Sequence, residues 1–383
     1  MSEFTDAMSP HRSIIIDSTL REGEQTPGVR FSRETRCEII RQLCRVGIEE
    51  IELGVASEKN SHLPELFTLA RKIVAETGGL QQLGLWCRCR PEDIDFAATC
   101  RPDVLSLSIP ASDLHIHERL RKDRAWILDT VQTSTARARA AGIPFISLGL
   151  EDATRADPEF LRQLARAAAA CGVQRLRLAD TVGIGSPAAI ATMVRMMRQH
   201  SGLPCGVHTH NDFGMATANA IAALEAGASA IDATVLGLGE RAGNCRLEEA
   251  AAFLCLQKGR EDYRISLLPT LCQTVSKAAG IAIAANHPVV GAAIFTCETG
   301  LHLHGLTINP DTYEPYPPDR VGAIRTLRFG HKTGKRALGN HLAALGHPVD
   351  DSLAEAIACR LRDLSDLPAH GLSDPELLKL ATR

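Results

Sequence analysis

Three features of the sequence predict an α/β fold: a closed TIM-type (β/α)8 barrel followed by a small, mainly helical C-terminal subdomain. Short β-type runs alternate with helical patterns eight times, glycines close the helices, and the beat stops near residue 257. Eight strand-helix units imply parallel strands joined by right-handed crossovers, and that number favours a closed barrel over an open doubly wound sheet. The predicted strands are 13–17, 50–54, 82–86, 104–109, 145–150, 176–179, 206–210 and 230–236. The helices between them include 33–46, 63–76, 125–141, 158–171, 187–199 and 216–226. Ala141-Gly142, Cys171-Gly172 and Ala226-Gly227 are helix stops, because glycine takes the left-handed C-terminal conformation at little cost. The barrel is assigned to residues 12–260, and a helical linker with the accessory subdomain to 261–383. In that second part a helix over 267–284 precedes a break at Asn286-His287-Pro288. A Pro-, Thr- and Gly-marked region over 291–334 and two terminal helices follow.

Composition excludes several classes of function. With 45% apolar residues there is ample core material, and a formal net charge of −3 leaves no basic footprint, so nucleic acid is not expected as a partner. No apolar signal core opens the chain, and no run of about 18 uncharged apolar residues occurs. A soluble cytoplasmic protein without membrane contact is expected. The 12 cysteines are scattered without a C-x-x-C pair, so Cys44, Cys171 and Cys255 are read as free thiols in apolar surroundings. Cys87-x-Cys89 lacks the second pair that a structural zinc site needs.

Polar residues gather at the carboxyl ends of the predicted strands, the face where barrel enzymes carry their chemistry. They are Arg21-Glu22, Glu52, Arg88 and Arg90, Ser108 with Ser112-Asp113, Glu151-Asp152, Asp180-Thr181, and His208 with His210. After the eighth strand comes the loop Gly237-Leu238-Gly239-Glu240-Arg241-Ala242-Gly243-Asn244. A structural barrel would not need its buried polar groups on one rim. In His208-Thr209-His210 the two imidazoles share a strand face, because side chains alternate with period two, and they can grip one metal ion. A carboxylate from another strand end, such as Glu22, completes a two-histidine, one-carboxylate site with open positions. Zinc, manganese, iron, cobalt and magnesium all suit this donor set, and iron-dependent oxygenases use a similar triad. The glycine loop lacks the spacing of a dinucleotide fingerprint; its glycines either admit a ligand or phosphate to the backbone or form a tight turn.

Three segments carry a family resemblance: Asp17-Ser18-Thr19-Leu20-Arg21-Glu22-Gly23-Glu24-Gln25-Thr26-Pro27-Gly28-Val29, His208-Thr209-His210-Asn211-Asp212, and residues 237–244. They resemble the signatures of the DRE-TIM metallolyase superfamily, which includes the 2-isopropylmalate synthases. The chain is most similar there to homocitrate synthases of the nitrogen-fixation type, from about residue 12 to 345. The resemblance implies a barrel with a helical subdomain that reaches over the partner's active site in a homodimer. It also implies a Claisen-type condensation of acetyl-CoA with a 2-oxo acid, here 2-oxoglutarate, then thioester hydrolysis to homocitrate and CoA. By the same resemblance Glu22, His208 and His210 bind a divalent metal ion (Mg, Mn or Zn), with Asn244 a further ligand. Arg21 stabilises the alkoxide, Thr181 holds the substrate carboxylate, and Gln25 and Glu52 line the pocket. Glu151, His302 and Tyr313 match the residues that remove a proton from acetyl-CoA, and the match at Tyr313 is informative because the chain has only 3 tyrosines.

The segment Phe295-Thr296-Cys297-Glu298-Thr299-Gly300-Leu301-His302-Leu303-His304-Gly305 departs from the family pattern at Cys297 and His304, and Gly330-His331-Lys332-Thr333-Gly334 transposes the usual order. The strand-five arginine by which lysine-pathway relatives hold the distal carboxylate is Ser147 here, which leaves Arg90 or Arg88 as replacements. Isopropylmalate, citramalate or phosphonomethylmalate synthesis is therefore an alternative, as is a catalytically reduced paralogue that binds 2-oxo acids. Cleavage of hydroxymethylglutaryl-CoA is disfavoured, because Cys245 follows Asn244 instead of lying within the glycine-rich loop.

Overall fold

The computed structural model describes residues 13–298, 300–363, 367 and 371–381. The chain divides into two compact units between Ala282 and Ile283. The first is a closed barrel of eight parallel strands in sequence order, with β8 paired to β1. Its strands are β1 (Ile14–Asp17), β2 (Glu50–Val55), β3 (Gln82–Arg88), β4 (Val104–Pro110), β5 (Phe145–Glu151), β6 (Arg175–Asp180), β7 (Cys205–Thr209) and β8 (Ala230–Ala233). The helices that follow them in turn are α1 (Arg33–Val46), α2 (Leu63–Glu76), α3 (Pro91–Cys100), α4 (Arg124–Ala140), α5 (Pro158–Cys171), α6 (Pro187–Ser201), α7 (Ala216–Glu225) and α8 (Leu247–Lys258).

Local sequence explains where these helices begin and end. Asp157 accepts a hydrogen bond from Glu159 N ahead of Pro158, and Gly172 ends α5 in the left-handed conformation. Ser186, Pro187 and Gly202 do the same for α6. A polar cap, a proline whose missing N–H costs nothing in the first turn, and a glycine past the last turn define these two helices. Between them the apolar positions, among them Phe160, Leu161 and Leu164, are buried against the strands. Each such side chain stabilises the barrel by roughly 1.5–3 kcal/mol relative to exposure.

Two expectations are corrected at the rim. The eighth strand ends at Ala233, short of 236, because Thr234 N turns away to Cys245 O (3.0 Å) and Leu236 adopts φ 60°. The seventh ends at Thr209, and His210 bridges instead to Asn244 in antiparallel fashion. A further helix, α9 (Leu268–Ala279), belongs to the barrel unit, where Gln42 Nε2 of α1 donates to Thr274 Oγ1 (3.0 Å). The expected boundary at residue 260 assigns it to the linker instead.

The second unit pairs two short parallel strands, β9 (Thr296–Cys297) and β10 (Thr326–Leu327). Helix α10 (Gly300–Ile308) occupies part of the region expected to be irregular, and among the described residues three terminal helices follow where two were expected: α11 (Lys335–Ala344), α12 (Asp351–Asp363) and α13 (Asp374–Ala381). Leu303, Phe329, Leu338, Ile357 and Leu377 form its buried core. No helix among the described residues is long and apolar enough to cross a membrane.

Candidate active site

The turn after β1 is knotted to the loop after β8. Asp17 is buried and accepts hydrogen bonds from Thr19 N (3.1 Å) and Thr19 Oγ1 (2.7 Å), while Val235 N donates to Thr19 Oγ1 (2.9 Å). Burial pushes the Asp17 carboxyl up to about 7. This turn presents Arg21 and Glu22 to the mouth of the barrel.

Beneath the mouth lies a polar layer built from the four even strands. Arg177 of β6 donates through Nη1 to Glu52 Oε1 of β2 (2.9 Å) and to Ser106 Oγ of β4 (2.9 Å), and through Nη2 it pairs with Asp232 of β8. Inward-facing residues of alternate strands form such layers in this fold. One layer down, Arg175 makes a two-pronged pair with Glu50 (2.8 and 2.9 Å). The sequence signal was the alternation in Arg175-Leu176-Arg177-Leu178, which puts both arginines on the inner face.

Glu52 corrects an expectation. It is 1% exposed and lies under the pocket, where it also accepts from Arg21 Nε (2.6 Å). It positions Arg21 and Arg177. Burial by itself would raise the Glu52 carboxyl, but Arg177 and then Arg21 override it and hold the group at about 2, against an ordinary 4.5. A depressed carboxyl contributes stability in full above the ordinary value and loses it as pH falls toward the folded one. Stability in urea should therefore decline between pH 4.5 and about 2. The slope in that window should flatten in Glu52→Gln; equal slopes in the two proteins would contradict the assignment.

Glu22, His208 and His210 are buried, and one donor atom from each lies within 4.8 Å of the others. Glu22 Oε2 is 3.8 Å from His208 Nε2, Glu22 Oε1 is 3.8 Å from His210 Nε2, and the two Nε2 atoms are 3.1 Å apart. Asp232 Oδ2 accepts from His208 Nδ1 (2.7 Å), which leaves the Nε2 lone pair facing the cluster, the arrangement that orients metal-binding imidazoles. Burial and then the neighbouring His208 depress His210 to about 3, so its ring is neutral at pH 7. Burial raises Glu22, but Arg21, His208 and His210 together hold it below the usual carboxylate range. The donor set suits a divalent cation. Asn244 bridges His210, and its buried Oδ1 has no hydrogen-bond partner among the described residues.

The glycine loop serves its own packing. A Cβ on Gly239 would stand 1.9 Å from Asn244 Nδ2, and one on Gly243, at φ 89°, would stand 2.0 Å from Gly237 O. These close approaches seat Asn244 beside Glu22 and pack the loop tightly on itself. Arg241 clamps the loop to Asp212 Oδ1 (2.8 Å) and Thr181 O (2.8 Å).

Above the layer opens a cavity of about 220 Å³ lined by Arg21, Glu22, Gln25, Glu151, Thr181, His208 and His210, all of them expected. It is also lined by Trp86, Ser106, Ser108, Arg119, Gly149, Arg177, Ala179 and Glu240. Glu151 is held by Ser108 Oγ (2.8 Å) and Arg119. Thr181 Oγ1 accepts from Asp152 N (2.8 Å). Arg90 is an exposed residue at the start of α3 and does not line the cavity. Arg88 is half-exposed and engaged by Asp93 (2.6 Å). Ser147 is fully buried in the lower layer, where Arg175 Nε lies 3.4 Å from its hydroxyl. Sequence reasoning missed Trp86, Ser106, Arg119, Gly149, Arg177 and Ala179 of the cavity, and Asp232 behind it.

In the second unit His302 and Tyr313 come together with ring centroids 4.2 Å apart. A Cβ on Gly305, one turn from His302, would stand 2.4 Å from the tyrosine ring, so glycine there permits the contact. Tyr313 is 43% exposed. Cys297 is half-buried against the helical core, His304 is half-buried on α10, and His331 and Lys332 are exposed in a turn closed by Gly330 N donating to Thr333 Oγ1 (2.8 Å).

Comparison with known proteins places this geometry. An HMGL-like family model matches residues 12–275, and a model described as homocitrate synthase post-HMGL domain-like matches residues 289–368. A homocitrate synthase of Frankia alni is 40% identical over 90% of this chain and 97% of its own length. A 2-isopropylmalate synthase of Caldanaerobacter subterraneus subsp. tengcongensis is 35% identical over 96% and 94%. The crystal structure of hydroxymethylglutaryl-CoA lyase from Pseudomonas aeruginosa superposes with a TM-score of 0.61 at 17% identity, covering 71% of this chain and 95% of that one, which shows the shared barrel fold. The chain belongs to the HMGL-like family, and its barrel is followed by a domain of the kind that follows it in homocitrate synthases.

Proposed function

We propose that the protein is a homocitrate synthase, an acyltransferase that condenses acetyl-CoA with 2-oxoglutarate and water to give homocitrate and CoA. Family membership supports the coarser statement, an enzyme that joins acetyl-CoA to a 2-oxo acid. The choice of acceptor rests on one observation: apart from Trp86, Ala179 and Gly149 the residues lining the cavity are polar or charged, and three of them are arginines. A branched aliphatic acceptor would need an apolar wall to bury its side chain, whereas a diacid needs donors and cations.

Glu22, His208, His210 and Asn244 Oδ1 would hold a divalent ion, Mg, Mn or Zn. Such an ion supplies Lewis-acid polarisation of the acceptor's keto oxygen. Arg21, locked by Glu52, is aimed at the charge that develops on that oxygen, and a guanidinium fixed in advance stabilises it without reorganisation. The Thr181 hydroxyl oxygen already accepts from Asp152 N, so its proton is free to donate to the acceptor's carboxylate. Glu151 is the barrel's group for taking the proton from the methyl group of acetyl-CoA, and His302 and Tyr313 are assigned to the same step by the family resemblance alone. The resulting carbon nucleophile attacks the ketone, and water then cleaves the thioester and releases CoA. The working form is a cytoplasmic homodimer.

The test is full-length protein with Mg, Mn or Zn, acetyl-CoA and a panel of 2-oxo acids, with free CoA measured by a thiol reagent. CoA release and homocitrate are expected with 2-oxoglutarate. Release only with 2-oxoisovalerate or pyruvate would move the protein to another acceptor, and none with any acid would end the reading.

A further inference from the structure

We infer that Arg119 is the specificity-determining residue for the acceptor, its guanidinium binding the second carboxylate of the diacid; this rests on the diacid reading above. Three observations carry it. First, the other two arginines in the cavity are committed, Arg177 to Glu52, Ser106 and Asp232, and Arg21 to Glu52 and Glu22. Arg119 has a half-exposed side chain and, among the described residues, hydrogen-bonds the Glu151 carboxylate alone, through Nη2, which leaves further N–H groups of its planar fork for a second carboxylate. Second, its position is right. Glu22, His208 and His210 come from the ends of β1 and β7, whereas Arg119 follows β4 and contacts the end of β5, across the closed barrel from them. A diacid whose keto end is held at the first group points its other end toward the second. Third, β5 lines the cavity with Gly149, which has no side chain to fill the space, and with Glu151, the residue that Arg119 meets.

The turn that carries Arg119 is held in place. Residues His115–Leu120 form one wide helical turn. Ser112 Oγ accepts from His115 N (3.2 Å) and donates to the buried Asp152 (2.5 Å), Ile116 is fully buried, and Arg121 closes the turn at φ 55°. A cation fixed before binding loses little entropy when the carboxylate arrives.

The experiment uses the full-length, metal-loaded protein and compares kcat/KM for 2-oxoglutarate and 2-oxobutyrate, which has one carboxylate, in wild type, Arg119→Ala and Arg119→Lys. A charge-assisted bidentate contact predicts that the selectivity ratio falls by on the order of 100-fold in R119A, carried by KM for the diacid, and by about 10-fold in R119K. Calorimetric titration without acetyl-CoA should show the same selective loss of 2-oxoglutarate affinity. If Arg119 only orients Glu151, R119A lowers kcat for both acids by one factor and leaves the ratio and the titration unchanged, which overturns the inference while the proposed function stands. A wild type that does not distinguish the two acids overturns both.

Discussion

Replacing His208 or His210 by alanine is expected to strip the protein of bound divalent metal and to lower kcat/KM by on the order of 10³-fold or more. The cluster offers three strong donors within 4.8 Å, so losing one imidazole leaves a carboxylate and a single ring nitrogen. Metal per chain after gel filtration and CoA release are the two measurements. Added metal should also raise the thermal midpoint of the wild type and not of the variants, since an ion that binds only the folded state stabilises it by mass action. Retained metal and turnover in either variant would remove this cluster from the reaction.

Asp232→Ala should destabilise the barrel by about 1–3 kcal/mol, because the buried Arg177 guanidinium keeps Glu52 but loses its second carboxylate. Asp232 is 2% exposed and serves two partners, the Arg177 guanidinium and His208 Nδ1. Asp232→Asn keeps the shape and removes the charge. It should weaken metal binding by about 10- to 100-fold, because the carboxylate no longer fixes the ring of His208. Denaturant unfolding of the barrel transition and a metal titration check the two effects. A loss in D232A below about 1 kcal/mol would mean that Arg177 finds another anion.

Much of this was readable from the chain because it follows from period and punctuation. Alternating apolar runs and the glycines at 142 and 172 mark where strands and helices start and stop, and the histidine pair needed only the strand's two-residue repeat. Residues whose roles depend on neighbours far along the chain were harder. Arg177 and Asp232 look like interruptions of apolar strands until register brings β6 and β8 around the same axis. Glu52 seemed a pocket residue because a strand end says nothing about depth. Arg119 lies on a turn with no periodic pattern, so only the fold reveals that it faces Glu151. The replacement sought at Arg88 and Arg90 failed for a local reason: Asp93 captures the first, and the second stays exposed at the start of α3.

The layer joining β2, β4, β6 and β8 also bears on how the chain acquires its structure. Arg177 and Glu52 are 125 residues apart in sequence, and Asp232 arrives later still from the ribosome. A half-formed barrel ending at β6 would hold this arginine with Glu52 but without its second carboxylate, Asp232, an incompletely compensated state for a charge away from water. Closure of the last strands should therefore be a late, all-or-none step, slow in the manner of folds rich in distant contacts. Fragments cut between β6 and β8 should remain loose until they meet.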